Sequence, residues 1–207
     1  MPALIIRPAE FSDLDAMYAI CLRTGAAGED ATDRYDDPDL LGHIYAGPYV
    51  MVEPGFGFVV EADGAVVGYA VATADTATFE AECEESWWPP LRRKYPDVTA
   101  LPGEDSDAGL IAMIHNPERT GPEILAEYPA HLHIDLLPDA QGLGVGRRLM
   151  EEVEDALRDR GAPGVHLGTD PDNVRSQGFY AHLGYQRLEP GELGTAESDV
   201  IYVKRLR

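Results

Sequence analysis

The feature that most constrains this chain is the segment PDAQGLGVGRRL at residues 138–149. Gly142, Gly144 and Gly146 alternate between an apolar run typical of a strand, residues 132–137, and a run typical of a helix. Glycine lets backbone N–H groups approach a ligand with no Cβ in the way, and a helix N-terminus adds unpaired donors and a positive dipole end. This combination is typical of a phosphate-binding turn. A flexible turn is the alternative that the glycine pattern alone leaves open.

The spacing of these glycines differs from two common phosphate loops. It is not G-x-G-x-x-G, and no Lys-Ser/Thr pair follows as in a P-loop. Val145, Leu149, Val153 and Leu157 recur every four residues and predict an amphipathic helix that ends near Gly161. The strand, this helix and a following strand form a crossover, which predicts two adjacent parallel strands.

Periodicity and turn residues predict the remaining elements of an α/β chain. Asp63-Gly64 is typical of a two-residue hairpin. The first helix is predicted to begin with Ser12 as its N-cap, with Asp15 in the capping-box position three residues later. Residues 40–49 predict a second helix. The predicted strands are 4–8, 56–62, 65–72, 131–137, 165–169, 185–188 and 200–205. The expected fold is a central mixed sheet flanked by helices.

A long segment, residues 76–128, separates the third and fourth predicted strands. We interpret it as an insert within a single domain of residues 1–207, folded over one face, because it is too long for an idle loop. Residues 78–88 predict a helix that ends at Pro89-Pro90, since the residue before a proline disfavours helix. Residues 110–114 are typical of a short strand or a helix.

Composition excludes several classes of protein. The formal net charge of −21 argues against nucleic acid and anionic membranes as partners. It permits a cationic substrate such as an amine or a basic peptide, although solubility explains the same acidity. No apolar run reaches the roughly 20 residues of a membrane span, and the N-terminus lacks the pattern of a signal peptide. Two cysteines, Cys21 and Cys83, give no disulfide framework or metal site, so we expect a reducing cytoplasm.

Two motifs carry a resemblance to a known family. Gln141-x-x-Gly144-x-Gly146 resembles the Q/R-x-x-G-x-G/A signature of the GCN5-related N-acetyltransferases (GNAT). The segment from Asn173 to Tyr185 resembles the second signature of that family, N-x-x-A/S-x-x-F-Y-x-x-x-G-F/Y. Residues 58–61, 128–135 and other short segments are also similar to the acetyltransferase-like C-terminal domain of the O-GlcNAcases, here with an intact glycine loop. The resemblance implies a GNAT fold.

The resemblance also implies that the chain binds acetyl-CoA. Backbone groups of Leu136 and Leu137 would pair with the pantetheine arm, and the amides of the glycine loop would hold the diphosphate. Arg147 or Arg148 would add a positive charge, although a solvated helix face is an equal alternative. Asn173 would contact pantetheine as well as cap a helix. The implied cofactor residues are Leu136, Leu137, Gln141, Gly142, Leu143, Gly144, Val145, Gly146, Arg147, Arg148, Asn173, Ser176, Phe179 and Tyr180.

Strand alternation places His131, His133 and Asp135 on one face of the fourth strand. A buried carboxylate is costly unless it is paired, so Asp135 either has His133 or Arg187 as a structural partner or acts as base or acceptor anchor. We favour the second interpretation, followed by His133 and then His131 as the base. The resemblance places Tyr180 in the position of the general acid.

These observations predict an acyl-CoA-dependent N-acyltransferase that moves acetyl to an amine by direct attack. The acceptor is expected to be a small-molecule amine or the Lys or N-terminal amine of a peptide, with histone acetylation a weaker hypothesis. His115 and Trp87 of the insert are candidates for contacting it. The alternative is a catalytically inactive acyl-CoA-binding or protein-interaction module. We expect a monomer or homodimer.

Overall fold

The computed structural model describes residues 3–98, 105–198 and 200–206. Its centre is one mixed sheet in the order β1-β2-β3-β4-β5-β7-β6. Neighbouring strands are antiparallel except β4 and β5, which are parallel as predicted. The strands are β1 Leu4–Pro8, β2 Gly55–Ala62, β3 Ala65–Thr73, β4 Ala130–Leu136, β5 Gly164–Gly168, β6 Gln186–Arg187 and β7 Ile201–Arg205.

Helices cover both faces of this sheet. Residues 40–49, predicted as one helix, form two short ones, α2 and α3. No helix among the described residues is long and apolar enough to cross a membrane. The helices are α1 Leu14–Thr24, α2 Leu40–Tyr45, α3 Gly47–Met51, α4 Thr76–Glu82, α5 Trp88–Lys94, α6 Asp107–His115, α7 Pro122–Glu127, α8 Val145–Asp159 and α9 Val174–His182.

The two faces of the sheet have separate cores. On one face, Leu132 of β4 belongs to the apolar cluster that contains Leu149 and Val153 of α8. On the other face, Tyr69 of β3 packs in the cluster that contains Met17 of α1. The amphipathic pattern of α8 is therefore confirmed, and Gly161 ends this helix region with a φ of 81°.

β4 and β5 diverge soon after they meet. Their parallel pairing is limited to Ala130 with Val165 and His131 with His166. β4 continues to Leu136 and β5 to Gly168 without further pairing to each other. β3 holds the outer edge of β4 and β7 holds the outer edge of β5. A gap therefore opens in the sheet between their carboxyl ends.

The start of α1 differs from the prediction. A 3₁₀ turn, Phe11–Asp13, precedes the helix, which begins at Leu14. The Asp13 carboxylate accepts a hydrogen bond from the Glu10 backbone N–H at 2.9 Å and binds Arg7 at 2.7 Å. The predicted capping pair of Ser12 and Asp15 is wrong, because Glu10 and Asp13, two residues earlier, form the capping box.

The helical course of the insert continues beyond the point predicted. A π-helical turn, Cys83–Trp87, joins α4 to α5, and the Trp88 N–H donates to Cys83 O. Pro89-Pro90 therefore lies in the first turn of α5, a position where proline is tolerated. Residues 110–114 lie in α6. The boundaries of the insert stay a prediction, and its residues 99–104 lie outside the described residues.

Two glycines test how tightly α8 and α9 pack. A Cβ on Gly146 of α8 would lie 3.1 Å from Leu136 Cδ1 and 3.4 Å from Phe179 Cζ, whereas a Cβ on Gly178 of α9 would meet nothing within 4 Å. We expect Gly146→Ala to destabilise the fold by about 1–3 kcal/mol through overpacking. Gly178→Ala is expected to stabilise it by about 0.5–1 kcal/mol. Urea unfolding of both variants measures this, and equal effects would contradict the packing.

Candidate active site

A cavity of about 1280 Å³ occupies the gap between β4 and β5 and extends toward α1 and the insert. Six side chains that the sequence predicts for the site lie on its surface. The structure thus brings together residues that are far apart in the chain. These are His131, His133, Asp135, Asn173, Ser176 and Tyr180.

The glycine loop has the geometry of an anion site. Gly142 and Gly144 have φ of 73° and 76°, and a Cβ on either would meet no atom within 4 Å. Within the described part of the chain, the amides of residues 142–147 donate to no protein acceptor, and no side chain caps α8. Unpaired donors around an open space fit a diphosphate. This loop fits the coenzyme A that the family resemblance implies.

Gly146 and Phe179 have a different role. The space beside Gly146 is taken by Leu136 and by the ring of Phe179, which packs in the core cluster under α8. Phe179 does not line the cavity. Its predicted cofactor contact therefore has no support in this geometry, and its ring instead fixes α9 against α8.

Side chains around the glycine loop join it to neighbouring elements through hydrogen bonds. Gln141 Nε2 donates to Leu136 O at 2.8 Å, and Gln141 Oε1 accepts from Arg175 at 2.5 Å. Arg147 contacts His182 Nε2 at 2.6 Å, and Arg148 is exposed. The signature glutamine therefore ties the loop to the end of β4 and the start of α9.

The free edge of β4 presents only alternate amides to the gap. The Leu137 N–H donates to Val67 O at 2.9 Å, which places it on the β3 side. Amide directions alternate along a strand, so the N–H groups of Leu136 and Ile134 face the gap. The predicted pairing with pantetheine is thus possible for Leu136, but the N–H of Leu137 is already engaged. The Ile134 N–H is the other amide of this edge that faces the gap.

Asn173 and Ser176 organise the start of α9. Asn173 Oδ1 accepts from the Ser176 N–H at 3.0 Å, which confirms the predicted cap. Ser176 Oγ lies 2.5 Å from Thr169 Oγ1 and 2.9 Å from Asn173 O. These bonds join α9 to the end of β5 on one wall of the gap.

Asp135 has structural partners that the sequence analysis missed. Its carboxylate accepts from Tyr69 Oη at 2.6 Å and lies 3.0 Å from Thr24 Oγ1. Neither His133 nor Arg187, the partners considered from the sequence, contacts it among the described residues. Burial raises the pKa of the Asp135 carboxyl, and the two hydrogen bonds oppose that rise.

Tyr180 is buried and lines the cavity from α9. Among the described residues its hydroxyl has no hydrogen-bond partner, so the group is free for a ligand. Burial, with a smaller effect from the charge of Asp135, raises the pKa of the Tyr180 phenol. The phenol therefore keeps its proton at neutral pH and can donate it.

Two histidines of β4 share one tyrosine. Tyr49 Oη lies 2.6 Å from His131 Nε2 and 3.0 Å from His133 Nε2. Burial lowers the pKa of His133 to about 4 and that of His131 well below its ordinary value. Both rings are therefore neutral at pH 7.

The insert residues predicted to contact an acceptor do not reach the cavity. Trp87 donates its indole N–H to His43 O at 2.9 Å, and His115 donates to Tyr95 O at 2.8 Å. The neighbouring Trp88 lines the cavity instead. The angular position of a residue around the helix determines which tryptophan faces the cavity. The π turn between α4 and α5, which the sequence did not predict, changes that angle for the residues that follow it.

Comparison with known proteins agrees with this geometry. The model of the Acetyltransferase (GNAT) family matches residues 22–185. Protein O-GlcNAcase of Rattus norvegicus is 26% identical over 189 residues, which cover 86% of this chain and 20% of that protein. The chain thus spans about a fifth of the length of the O-GlcNAcases that it matches.

Solved structures show the same fold. The crystal structure of SsHAT matches with a TM-score of 0.87 and 38% identity over 100% of both chains. YncA from Salmonella typhimurium, a putative acetyltransferase solved with its cofactor acetyl-CoA, matches with a TM-score of 0.56 and 18% identity over 99% of this chain and 95% of that one. The second match shows the fold alone.

The chain belongs to the GNAT acetyltransferase family. The predicted α/β class with a mixed sheet flanked by helices is confirmed, and so is the similarity to the O-GlcNAcases. The enzyme class predicted from the sequence, that of the acetyl-CoA-dependent N-acetyltransferases, is the class of the family to which the chain belongs.

The lowered pKa of His133 predicts how stability depends on pH. The unfolded chain takes up a proton near pH 6.5, whereas the folded chain does so only near pH 4, so stability falls on acidification between these values. From pH 7 to pH 5 we expect wild type to lose about 2 kcal/mol more than His133→Asn.

Urea unfolding at both pH values measures this difference. Identical losses in wild type and His133→Asn would contradict the burial of a neutral ring.

Proposed function

We propose that this chain acetylates an amine by direct attack within the cavity between β4 and β5. The observation that carries the proposal is that Tyr180, Asp135 and His133 line this gap, and that the loop after β4 has amides without partners among the described residues. One wall thus holds a proton donor and the other holds proton acceptors. Direct transfer between two bound substrates needs both.

The glycine loop and the free edge of β4 are proposed to hold acetyl-CoA. Amides of residues 142–147 would bind the diphosphate, and the N–H groups of Ile134 and Leu136 would pair with the pantetheine arm. Asn173 and Ser176 lie on the facing wall. Bound acetyl-CoA supplies a thioester carbonyl for attack by the amine and a thiolate as leaving group.

Tyr180 is proposed to donate its proton to the departing thiolate. Its hydroxyl is buried, protonated at neutral pH and unpartnered within the described residues. His133 and Asp135 lie on the acceptor side and are proposed to position the amine and take its proton. Asp135 is fixed by Tyr69 and Thr24, which suits it to anchoring rather than movement.

The cavity lining supports an amine acceptor that is cationic in solution. Glu118, Asp170 and Asp172 line it and form no ion pair with another described residue. The aromatic rings of Tyr45 and Trp88 form apolar parts of the lining. A small amine with an apolar stem, or the Lys or N-terminal amine of a peptide, fits this lining. Acetylation of a histone, a basic protein, is one case within this class.

We also propose a reducing cytoplasmic setting for the protein. Cys21 and Cys83 are both unpaired and buried, which suits a compartment that keeps thiols reduced. The expectation that the protein is a monomer or a homodimer stays a prediction from the sequence.

Tyr180→Phe tests the proton donor. Loss of the hydroxyl is expected to lower kcat roughly 100-fold, in the range of general acid catalysis, with little change in KM for acetyl-CoA. Release of thiol from acetyl-CoA across a panel of amines measures both constants. Wild-type kcat in the variant would contradict the role.

Gly144→Ala tests the diphosphate loop. Alanine at a φ of 76° is strained and its methyl group enters the open space, so affinity for coenzyme A is expected to fall at least tenfold, by roughly 1.4 kcal/mol. Gly161→Ala is the matched control, because Gly161 also has a positive φ of 81° and open surroundings but lies beyond the far end of α8. Titration calorimetry compares the two.

The same measurements distinguish the alternative function. A non-catalytic acyl-CoA-binding module would bind coenzyme A with the same sensitivity at Gly144, yet release no thiol with any amine. Equal affinity in Gly144→Ala and Gly161→Ala would contradict the loop under both functions.

A further inference from the structure

A continuous hydrogen-bonded chain links the insert to the cavity. It runs from Thr76, the first residue of α4, through His131 and Tyr49 to His133. Thr76 and Tyr49 are buried, and the ring of Tyr49 stacks on Phe79 at 4.6 Å between centroids. The positions of these four side chains are therefore fixed, and only the positions of their protons remain to be assigned.

The backbone carbonyl of Pro129 determines where these protons lie. Thr76 Oγ1 lies 2.6 Å from Pro129 O, which can only accept, so the single hydroxyl proton of Thr76 points there. His131 Nδ1 lies 2.7 Å from Thr76 Oγ1, whose own proton is already used, and must donate to it. The Nε2 of His131 then carries a lone pair, because a neutral imidazole has one proton.

The assignment continues through the tyrosine. Tyr49 Oη donates its proton to His131 Nε2, at 2.6 Å. It can then only accept from His133 Nε2, at 3.0 Å. His133 therefore carries its proton on Nε2 and a lone pair on Nδ1.

The Nδ1 atom of His133 opens on the cavity. Within the described residues it has no hydrogen-bond partner, and it is not among the polar atoms sealed from solvent. His133 itself lines the cavity, with the ring of Tyr45 at 5.6 Å. His133 Nδ1 is thus the ring nitrogen of this hydrogen-bonded network that has no partner among the described residues, and it faces the cavity where substrate would bind.

We propose that Thr76, acting through His131 and Tyr49, fixes the His133 ring with its Nδ1 lone pair toward the attacking amine. This inference rests on the proposed function. As the C–N bond to the acetyl group forms and the C–S bond of the thioester breaks, His133 Nδ1 would take the amine proton and become an imidazolium whose Nε2–H stays bonded to Tyr49. Tyr180 would protonate the departing thiolate, and proton exchange with solvent would restore both side chains. Thr76, His131 and Tyr49 are positioning residues, and His133 is the catalytic one.

Ring ¹⁵N spectra of the full chain test the proton positions without any substrate. Long-range ¹H–¹⁵N correlations distinguish a protonated ring nitrogen from one with a lone pair. At pH 7 we expect His133 as the Nε2–H form and His131 as the Nδ1–H form. A proton on Nδ1 of His133, or on both nitrogens of either ring, overturns the inference.

Variants of Thr76 test whether this residue orients His133 through His131 and Tyr49. Thr76→Val removes the oxygen that accepts from His131, so His133 is expected to populate both neutral forms. The value of kcat should fall roughly tenfold, while KM for acetyl-CoA is unchanged. Thr76→Ser keeps the hydroxyl and should restore both the spectrum and kcat. Equal kcat in the Val and Ser variants overturns the inference.

Two further outcomes separate this inference from the proposed function. If Thr76→Val does not fold, Tyr49→Phe keeps the ring stacked on Phe79 and removes only the hydroxyl, with the same spectral change at His133 expected. If wild type shows the expected ring forms but releases no thiol with any amine, the proposed function fails and so does the catalytic role of His133. The wrong ring forms together with turnover overturn this inference alone.

Discussion

The divergence of β4 and β5 is the constraint on which the rest of the structure depends. After His131 and His166 the described residues of the two strands are no longer paired, yet each strand is held on its outer side by another strand. The gap therefore cannot close by movement of one strand alone. Amide groups left unpaired along its edge need partners, and an extended amide-containing arm can supply them. The binding site thus lies where the pairing between β4 and β5 is missing from the sheet.

The polar groups beside this gap are costly to bury, and the helices around them compensate for that cost. α1 supplies Thr24 to Asp135, α3 supplies Tyr49 to the histidines, and α4 supplies Thr76. Each hydrogen bond crosses between elements that are distant in the chain. A polar network buried in a low dielectric is specific only when its members are satisfied. The same contacts therefore stabilise the fold and orient the groups that face the cavity.

Much of this arrangement could be predicted from local sequence. Period-two alternation placed His131, His133 and Asp135 on one face, and period-four spacing identified α8. The partners of Asp135 could not be predicted in this way, because Tyr69 faces it through the register of β3 on β4, which local pattern does not fix. The exchange of Trp87 for Trp88 has a similar origin, since one π turn rotates every later side chain of the helix. Long-range register and helical phase were thus the missing information.

The most direct test of this account is hydrogen exchange of individual backbone amides with and without coenzyme A. Among residues 3–98, 105–198 and 200–206, no acceptor pairs with the amides of residues 142–147 or with those of Ile134 and Leu136. They should exchange quickly in the free protein and become protected when coenzyme A is added, while the amide of Leu137 should change little. Protection confined to other parts of the chain, or none at saturating coenzyme A, would contradict the central claim that the gap and its loop hold the cofactor.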